Sequence, residues 1–408
     1  MLKQDPSAKD GCRAPRTGEI KKNPTLANTF RLLAKHGKAG FYTGSVADSL
    51  IKIVQEKGGH LTHEDLKHHM EAGTEPVDPI SVRVNMFNTG KAHGEHMKDK
   101  STEGVDVWEH PPNGQGIVAL MALGILEQLE KSGRIPTFTA ADHNTAPYLH
   151  ALTESLRIAF ADANWFIADP NVSKVPQDEL ISPAYCAERA KLFNPDKAST
   201  DLPRGSPAHR SSDTVYFACT DSQGNGISFI NSNYAGFGTC IIPQGCGFTL
   251  QNRGANFSLG PTDHPNVLAP RKRPYHTIIP ALVTNASDQS LHSVYGVMGG
   301  FMQPQGHVQV LLNQLLFKHT PQAALDAPRL CIGGQEAVDS VVSLEEGISV
   351  EAVEGLKKMG HHVEVVKGMG RSVFGRGQII RWHLDPVEGS GVWSAGGDMR
   401  GDGAAVPQ

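Results

Sequence analysis

Two short stretches concentrate the groups that acyl chemistry needs. Asn231-Ser-Asn-Tyr-Ala-Gly-Phe-Gly238 packs amides, a hydroxyl and glycines into a tight loop after the apolar run Ile227-Ser-Phe-Ile230. Gly296-Val-Met-Gly299-Gly300 closes another apolar run on two adjacent glycines. Glycine lets a backbone come close to a ligand and turn its N–H groups into a pocket, which is what an oxyanion site requires. Taken singly, each stretch reads as an ordinary turn at a strand end. Metal chemistry is less well supported. Of the 19 histidines, His63 and His68 flank Glu64-Asp65-Leu66-Lys67 at a spacing of five, which does not place them on one helix face. The six cysteines are scattered without a Cys-x-x-Cys pair, and most of them read as reduced and buried.

Two further motifs have plain readings. Gly114-Gln-Gly116-Ile-Val-Ala119 fits a loose dinucleotide fingerprint, but it follows Pro111-Pro112 and lacks a surrounding strand–helix–strand unit. A helix-start turn accounts for it better. Arg271-Lys272-Arg273 before Pro274 is too short a basic run for a nucleic-acid footprint and reads as a loop packed on an acidic neighbour.

The elements that must position these residues differ between the two halves. Asn23-Pro24 is a cap and first-turn proline for a helix ending at Gly37. A second helix runs from Ser45 to Gly58-Gly59, and Thr62 with Asp65 has the form of a capping box for a third. Ile117–Leu129 is apolar enough to be a buried helix, and a long helix spans about 144–165. The polar stretch 168–213 reads as a surface connection with helical pieces near 182–192. From 214 the texture becomes strand-like. Thr214–Cys219 and Ile227–Ser232 flank the turn Asp221–Gly226 as a hairpin, with strands at 276–283, 291–297, 362–366, 377–384 and 391–395 and helices at 305–318 and 349–359. This pattern predicts a layered α+β body in which helices cover sheets.

Composition narrows the function. Among 408 residues, Lys+Arg 38 against Asp+Glu 42 leaves a formal charge of −4, which argues against a dedicated nucleic-acid or membrane-surface binder. A hydrophobic share of 39% with 20% charge is that of a globular chain with a core. No apolar run approaches a membrane span, and the polar start does not read as a signal peptide, so the default expectation is a cytoplasmic protein.

Asp213-Thr-Val-Tyr-Phe, Gly224-Asn-Gly226, Ser232-Asn-Tyr234, Phe237-Gly-Thr239, Gly247-Phe-Thr-Leu-Gln-Asn-Arg253, Lys272-Arg-Pro274, Gly299-Gly300 and Gly397-Asp-Met-Arg-Gly-Asp-Gly403 come in one order. That order resembles the small subunit of the γ-glutamyltransferase (glutathione hydrolase) family, in its divergent hydrolase-like branch. Gly40-Phe-Tyr-Thr-Gly44, Gly58-Gly-His-Leu-Thr62, Glu75-Pro76, Pro111-Pro112, Ala159-Phe-Ala-Asp162 and Asp169-Pro170 resemble the later part of its large subunit. The resemblance implies an N-terminal-nucleophile (Ntn) hydrolase αββα sandwich, with helices covering two stacked antiparallel sheets. Residues 1–213 would be large-subunit-like and 214–408 the small-subunit-like catalytic region. It further implies that the chain cuts itself between Asp213 and Thr214 into a heterodimer of its own two pieces.

Thr214 would then be the nucleophile. Its new α-amine, with a reference pKa of about 7.7–8.0, can act as the base for its own hydroxyl, and its β-branch limits χ1. Without the surrounding motifs, Thr214 reads as a strand-opening threonine. By the same resemblance, Gly299 and Gly300 supply oxyanion N–H groups, Ser232 hydrogen-bonds the nucleophile region and Asn233, or alternatively Tyr234, occupies the place of an asparagine that contacts substrate. The substrate would be a γ-glutamyl amide such as glutathione, with water or an amino compound as acceptor and neither metal nor organic cofactor.

Several positions depart from the family pattern. Arg253-Gly-Ala-Asn256 stands where a Gln–x–x–Asp pair reads the donor, so a carboxylate for an α-ammonium is missing, while Arg253 favours a carboxylate. His276-Thr277 stands where two serines bind the donor carboxylate, and Val215 follows the nucleophile in place of a second threonine. The alternative expectation is therefore an amidohydrolase or acylase for glutaryl-like amides. The likeness also begins inside the family's large subunit, which raises a third expectation, a truncated and inactive paralogue.

Overall fold

The computed structural model describes residues 2–86, 103–199, 213–333, 341–384 and 390–407. They form two compact units, one from Met1–Pro76 with Phe237–Asn252, the other from Val77–Gly236 with Arg253–Gln408.

The smaller unit opens with a two-stranded ladder, β1 (Lys3–Gln4) and β2 (Cys12–Arg13). Helices α1 (Pro24–His36), α2 (Ala39–Tyr42), α3 (Gly44–Glu56) and α4 (His63–Ala72) follow. The caps read from the sequence are present. The Asn23 side chain accepts from Leu26 N–H and donates to the Gly247 carbonyl, and Thr62 and Asp65 make a reciprocal capping box. Ala47, Leu50, Ile51 and Leu66 form this unit's small core.

The larger unit is built on a six-stranded antiparallel sheet. Its strands are β3 (Ile80–Val84), β4 (Val105–Glu109), β7 (Ala281–Asn285), β8 (Leu291–Met298), β12 (Arg376–Leu384) and β13 (Gly391–Gly397), in the order β13-β12-β8-β7-β4-β3. Helices α5 (Gly116–Lys131), α6 (Ala146–Phe166) and α9 (Met302–Leu315) are packed into the main core. The apolar segment read as a buried helix is α5, in which every residue from Gly116 to Leu123 is buried. Shorter helices α7 (Gln177–Leu180), α8 (Pro183–Ala190), α10 (Pro321–Asp326) and α11 (Val350–Lys358) fill the margins. A small mixed sheet joins β9 (Leu330–Ile332), β10 (Val342–Glu345) and β11 (Val363–Val366). Helix α9 is buried all round even though it carries glutamines. Gln305 and Gln309 spend their side-chain amides on the backbone of Ile332 and Leu330, so burial leaves those groups paired.

The second layer is the expected hairpin, β5 (Asp213–Thr220) and β6 (Gly226–Tyr234), whose turn is closed by Asp221 accepting from Gln223 and Asn225 N–H. Strand alternation sends Thr214 and Tyr216 inward, while Val215, Phe217, Ile227 and Phe229 remain exposed on the outer face. The inner face lies on β8. The Tyr216 ring sits against Gly296, where even a Cβ would come within 2.4 Å of it, and this close approach is what a glycine at 296 permits.

Helices layered on antiparallel sheets give the expected α+β class. Two differences from the sequence reading concern strands. Ile80–Val84 and Val105–Glu109, not read as strands, form one edge of the main sheet; Ile80–Val84 alternates, with Ile80, Val82 and Val84 buried, whereas β4 is buried on both faces and lacks that alternation. The strand expected at 276–283 begins only at Ala281, and His276 makes an isolated bridge to Gly114. Among the described residues no helix is long and apolar enough to cross a membrane.

Candidate active site

The hairpin places Thr214. Gly226 rests on Leu291 and Val294, and Tyr216 on Gly296, so the progression along β5 carries Thr214 toward the end of β8, where Gly299-Gly300 begins. Thr214 is 3% exposed, and its Oγ1 donates to Ser232 Oγ at 3.1 Å. The ladder is irregular at this point. Thr214 pairs with Ser232 and Asp213 with Tyr234, leaving Asn233 as an extra residue, a bulge of the kind that re-aims side chains. Tyr234 is buried in the left-handed region at φ 76°, a conformation costing a non-glycine residue about 1–2 kcal/mol. Its N–H donates to Ser232 Oγ at 2.9 Å, so Ser232 links the bulge to the threonine.

Gly299 and Gly300 form the turn between β8 and α9, at φ 142° and 60°. Their carbonyls accept from Met302 and Gln303 N–H, both at 3.1 Å. In a trans peptide C=O and N–H point in opposite directions, so the N–H groups of Gly300 and Phe301 turn away from α9. This turn has a support that the sequence reading passed over. Gln115, fully buried, donates from Nε2 to the Gly300 carbonyl at 2.8 Å and to the Thr277 carbonyl at 3.0 Å, and its Oε1 accepts from the Tyr275 hydroxyl at 2.9 Å. The stretch dismissed as a dinucleotide fingerprint is the helix-start turn it was read as. The signal available was a long amide side chain between two glycines at the mouth of a helix whose first eleven residues are all apolar or glycine.

The remaining candidates lie on a second wall. Arg253 is half-buried, donates to Thr277 Oγ1 at 3.2 Å and to the Ser232 carbonyl at 3.4 Å, and holds its guanidinium 5.4 Å from the centre of the Tyr234 ring. Burial lowers its pKa to about 10. Thr277 is fully buried. His276 is tied at both backbone groups, its N–H to the Asn113 carbonyl and its carbonyl to Gln115 N–H. Burial first, then the charges of Arg253, His110 and Arg273, push its pKa down to about 3. Asn256 lines a cavity of about 590 Å³ together with Trp165, His264, Tyr275 and Phe301. Its carbonyl accepts from Asn266, and its side-chain Nδ2 is buried with no hydrogen-bond partner among the described residues. Thr214, Ser232, Arg253, Thr277 and Gly300 are thus joined through shared contacts, Asn233 sits at the bulge, and Asn256 faces the cavity.

Other titratable clusters lie outside this constellation. His150, Glu154 and His361 bring donor atoms within 4.8 Å of one another. Their hydrogen bonds form a relay instead. Arg157 can only donate to His361 Nδ1, at 3.3 Å, so His361 Nε2 carries the proton to His150 Nδ1 at 2.7 Å, and His150 Nε2–H reaches the Asn194 carbonyl. With Arg157 also bound to Glu154 at 3.0 Å, the positive charge of the cluster is already supplied. The basic run packs on an acid as expected, Arg273 binding Asp169 at 2.8 Å.

The family model for gamma-glutamyltranspeptidase matches residues 7–408. The chain is 32% identical over 403 residues to the glutathione hydrolase-like YwrD proenzyme of Bacillus subtilis, covering 97% of this chain and 67% of that one. It is 30% identical over 396 residues to the oxamate amidohydrolase proenzyme of Klebsiella pneumoniae, covering 96% and 66%. Among solved structures, a cephalosporin acylase from Bacillus halodurans superposes with a TM-score of 0.77 at 38% identity, covering 96% of this chain and 64% of that one. The chain therefore spans about two thirds of the length of these relatives. The αββα hydrolase architecture is thereby borne out, with the two-stranded hairpin as its second sheet among the described residues.

Proposed function

We propose that this chain, which belongs to the γ-glutamyltranspeptidase family of amidohydrolases, cuts itself before Thr214 and then uses that threonine to take an acyl group from a small-molecule amide. One observation carries the reading: a buried threonine hydroxyl, bonded to Ser232 at 3.1 Å, next to a bulged Asp213–Thr214 junction. In the processing step, Thr214 Oγ attacks the Asp213 carbonyl carbon and the C–N bond breaks as the acyl group moves to oxygen. Water then opens the ester, leaving an Asp213 carboxylate and a free Thr214 amine.

In turnover that amine takes the Oγ proton as Oγ adds to the substrate carbonyl. Backbone N–H groups of the Gly299-Gly300 turn receive the developing oxyanion. Collapse returns the proton to the departing amine, and water or an amino acceptor removes the acyl group from Thr214. Ser232 holds the hydroxyl, and Asn233 beside it contacts the substrate. Glutathione and other γ-glutamyl amides are the donors that the family implies. A second reading, an acylase for glutaryl-like amides, is favoured by Asn256, which offers no charge to a donor's ammonium.

N-terminal sequencing of the purified protein tests the proposal. Two bands on a denaturing gel, the shorter beginning Thr214-Val-Tyr, are expected. A single uncut chain that still hydrolyses amides would remove Thr214 from its role.

A further inference from the structure

The hairpin covers only part of the sheet beneath it. β5 is in contact with β12 and β8, and β6 with β8, while the next strands across, β7 and β4, extend beyond the β6 edge. Cross-strand partners share a face, so Val294, which meets Gly226 of the hairpin, puts its partner Leu282 and then Trp108 on the hairpin side. Leu282, Thr284 and Trp108 are half-buried there, whereas Val283 and Val107, which point the other way, are buried. With Pro79, Ser228 and Pro280 they line a cavity of about 420 Å³ beside β6. The hairpin's inward side chains show the same imbalance: Thr214 and Tyr216 of β5 are buried, Ser228 and Ile230 of β6 only half-buried.

β6 is also an open edge. Among the described residues its one ladder is with β5, and the backbone groups on its far side between Gly226 and Asn231 meet no other strand. Such an edge is a template for another strand, and a two-stranded ribbon by itself is marginal. A strand paired to β6 would run about 4.8 Å from it, over Leu282 and Trp108. The apolar strip ends there. One strand further, exposed Arg83 pairs with Asp106 at 2.9 Å, a face finished for water. On the outer side of the hairpin, Phe229 stacks on Phe217 with ring centres 4.9 Å apart, and both stay exposed with Val215 and Ile227. Contiguous apolar surface of this kind marks an interaction site.

We infer that the β6 edge and the shelf beside it form a docking site for one β-strand of a polypeptide other than this chain. The relatives say what class of polypeptide fits: about a third of their length has no counterpart in this chain. A strand from a polypeptide of that class bonds through its main chain to Gly226–Asn231, and its alternate side chains rest on Leu282 and Trp108. The inference goes beyond the threonine chemistry and does not depend on it.

The test uses synthetic peptides of about 15 residues, each long enough for one strand. They tile the third of the Bacillus subtilis relative that this chain does not match, with shuffled versions as controls, and are titrated onto the whole chain. At least one is expected to bind and to slow amide hydrogen exchange in residues 227–231 about 10-fold or more. Leu282→Lys, which sets a charge into the shelf, is expected to weaken that peptide about 10-fold. Val392→Lys, at an exposed position on β13, leaves it unchanged. Should Leu282→Lys fail to fold, the exchange map of the unaltered chain decides.

No binding by any tile, equal binding by the shuffled peptides, or protection confined to another region overturns the inference. So does protection of residues 227–231 that rises with the protein's own concentration and needs no peptide, which assigns the edge to a second copy. Cleavage before Thr214, read separately on a denaturing gel, stays a test of the threonine chemistry alone.

Discussion

The two walls around Thr214 are built to different standards. One holds Thr214, Ser232, Gly299-Gly300 and Gln115: Thr214, Gly300 and Gln115 are buried, Ser232 and Gly299 are half-buried, and hydrogen bonds join Thr214 to Ser232 at 3.1 Å and Gln115 to Gly300 at 2.8 Å. Its residue types follow the family pattern. The other, made of Arg253, Asn256, His276 and Thr277, is partly open, borders a cavity of about 590 Å³ and contains, among the described residues, a cation without an ion-paired carboxylate and an amide nitrogen without a hydrogen-bond partner. Its residue types depart from that pattern. Chemistry common to many amides demands a rigid, satisfied wall, because an oxyanion donor displaced by an ångström loses much of its effect. Recognition of one particular amide leaves polar groups waiting for the substrate to complete them.

Substitutions can break this contrast. The largest effect is expected from Thr214→Ala, which removes the oxygen proposed to attack: no cut at 213/214 on a denaturing gel and no amide turnover. Next comes Gln115→Met, which keeps side-chain volume but frees the Gly300 carbonyl from its side-chain tether and leaves the Tyr275 hydroxyl without its acceptor. A fall in kcat of about 10- to 100-fold with little change in KM is expected from a misplaced oxyanion turn. A change confined to KM would assign Gln115 to the recognition wall instead.

Smaller effects should follow on the open wall. Asn256→Asp returns a negative charge to the site, and the kcat/KM ratio of γ-glutamyl to glutaryl anilide is expected to rise about 10-fold. An unchanged ratio would place the donor's ammonium elsewhere. The smallest effect is on stability. His276 has its folded pKa depressed to about 3, below the ordinary value near 6.5, by burial and by Arg253, His110 and Arg273. A depressed pKa means that the neutral form is the folded form, so its contribution is present above about pH 6.5 and is lost as pH falls toward 3. Thermal melts should therefore drop through that window, and His276→Asn should flatten the slope.

The capped helices were legible because their signals are local. Asn23-Pro24, the Thr62–Asp65 box and the strongly apolar Ile117–Leu129 each state a start, a face or a burial within a few turns. The hairpin was legible for the same reason, through its alternation and the Asp221–Gly226 turn. Val105–Glu109 was not, since a strand covered on both faces has no alternation to read. Gln115 was not, since its partners lie 160 to 185 residues away.

The order of short motifs along the chain determined the family, the fold class and the choice of Thr214, because that information is one-dimensional: residue type and sequence position. The arrangement that makes a site of those residues was decided only in three dimensions. Stacking the hairpin on β8 sets Tyr216 against Gly296, the bulge at Asn233 brings Ser232 to the Thr214 hydroxyl, and folding brings Arg253 to Ser232 and Thr277 with no ion-paired acid among the described residues. A charge's partner, or its lack of one, depends on which side chains long-range packing excludes water from, and no spacing in the sequence encodes that.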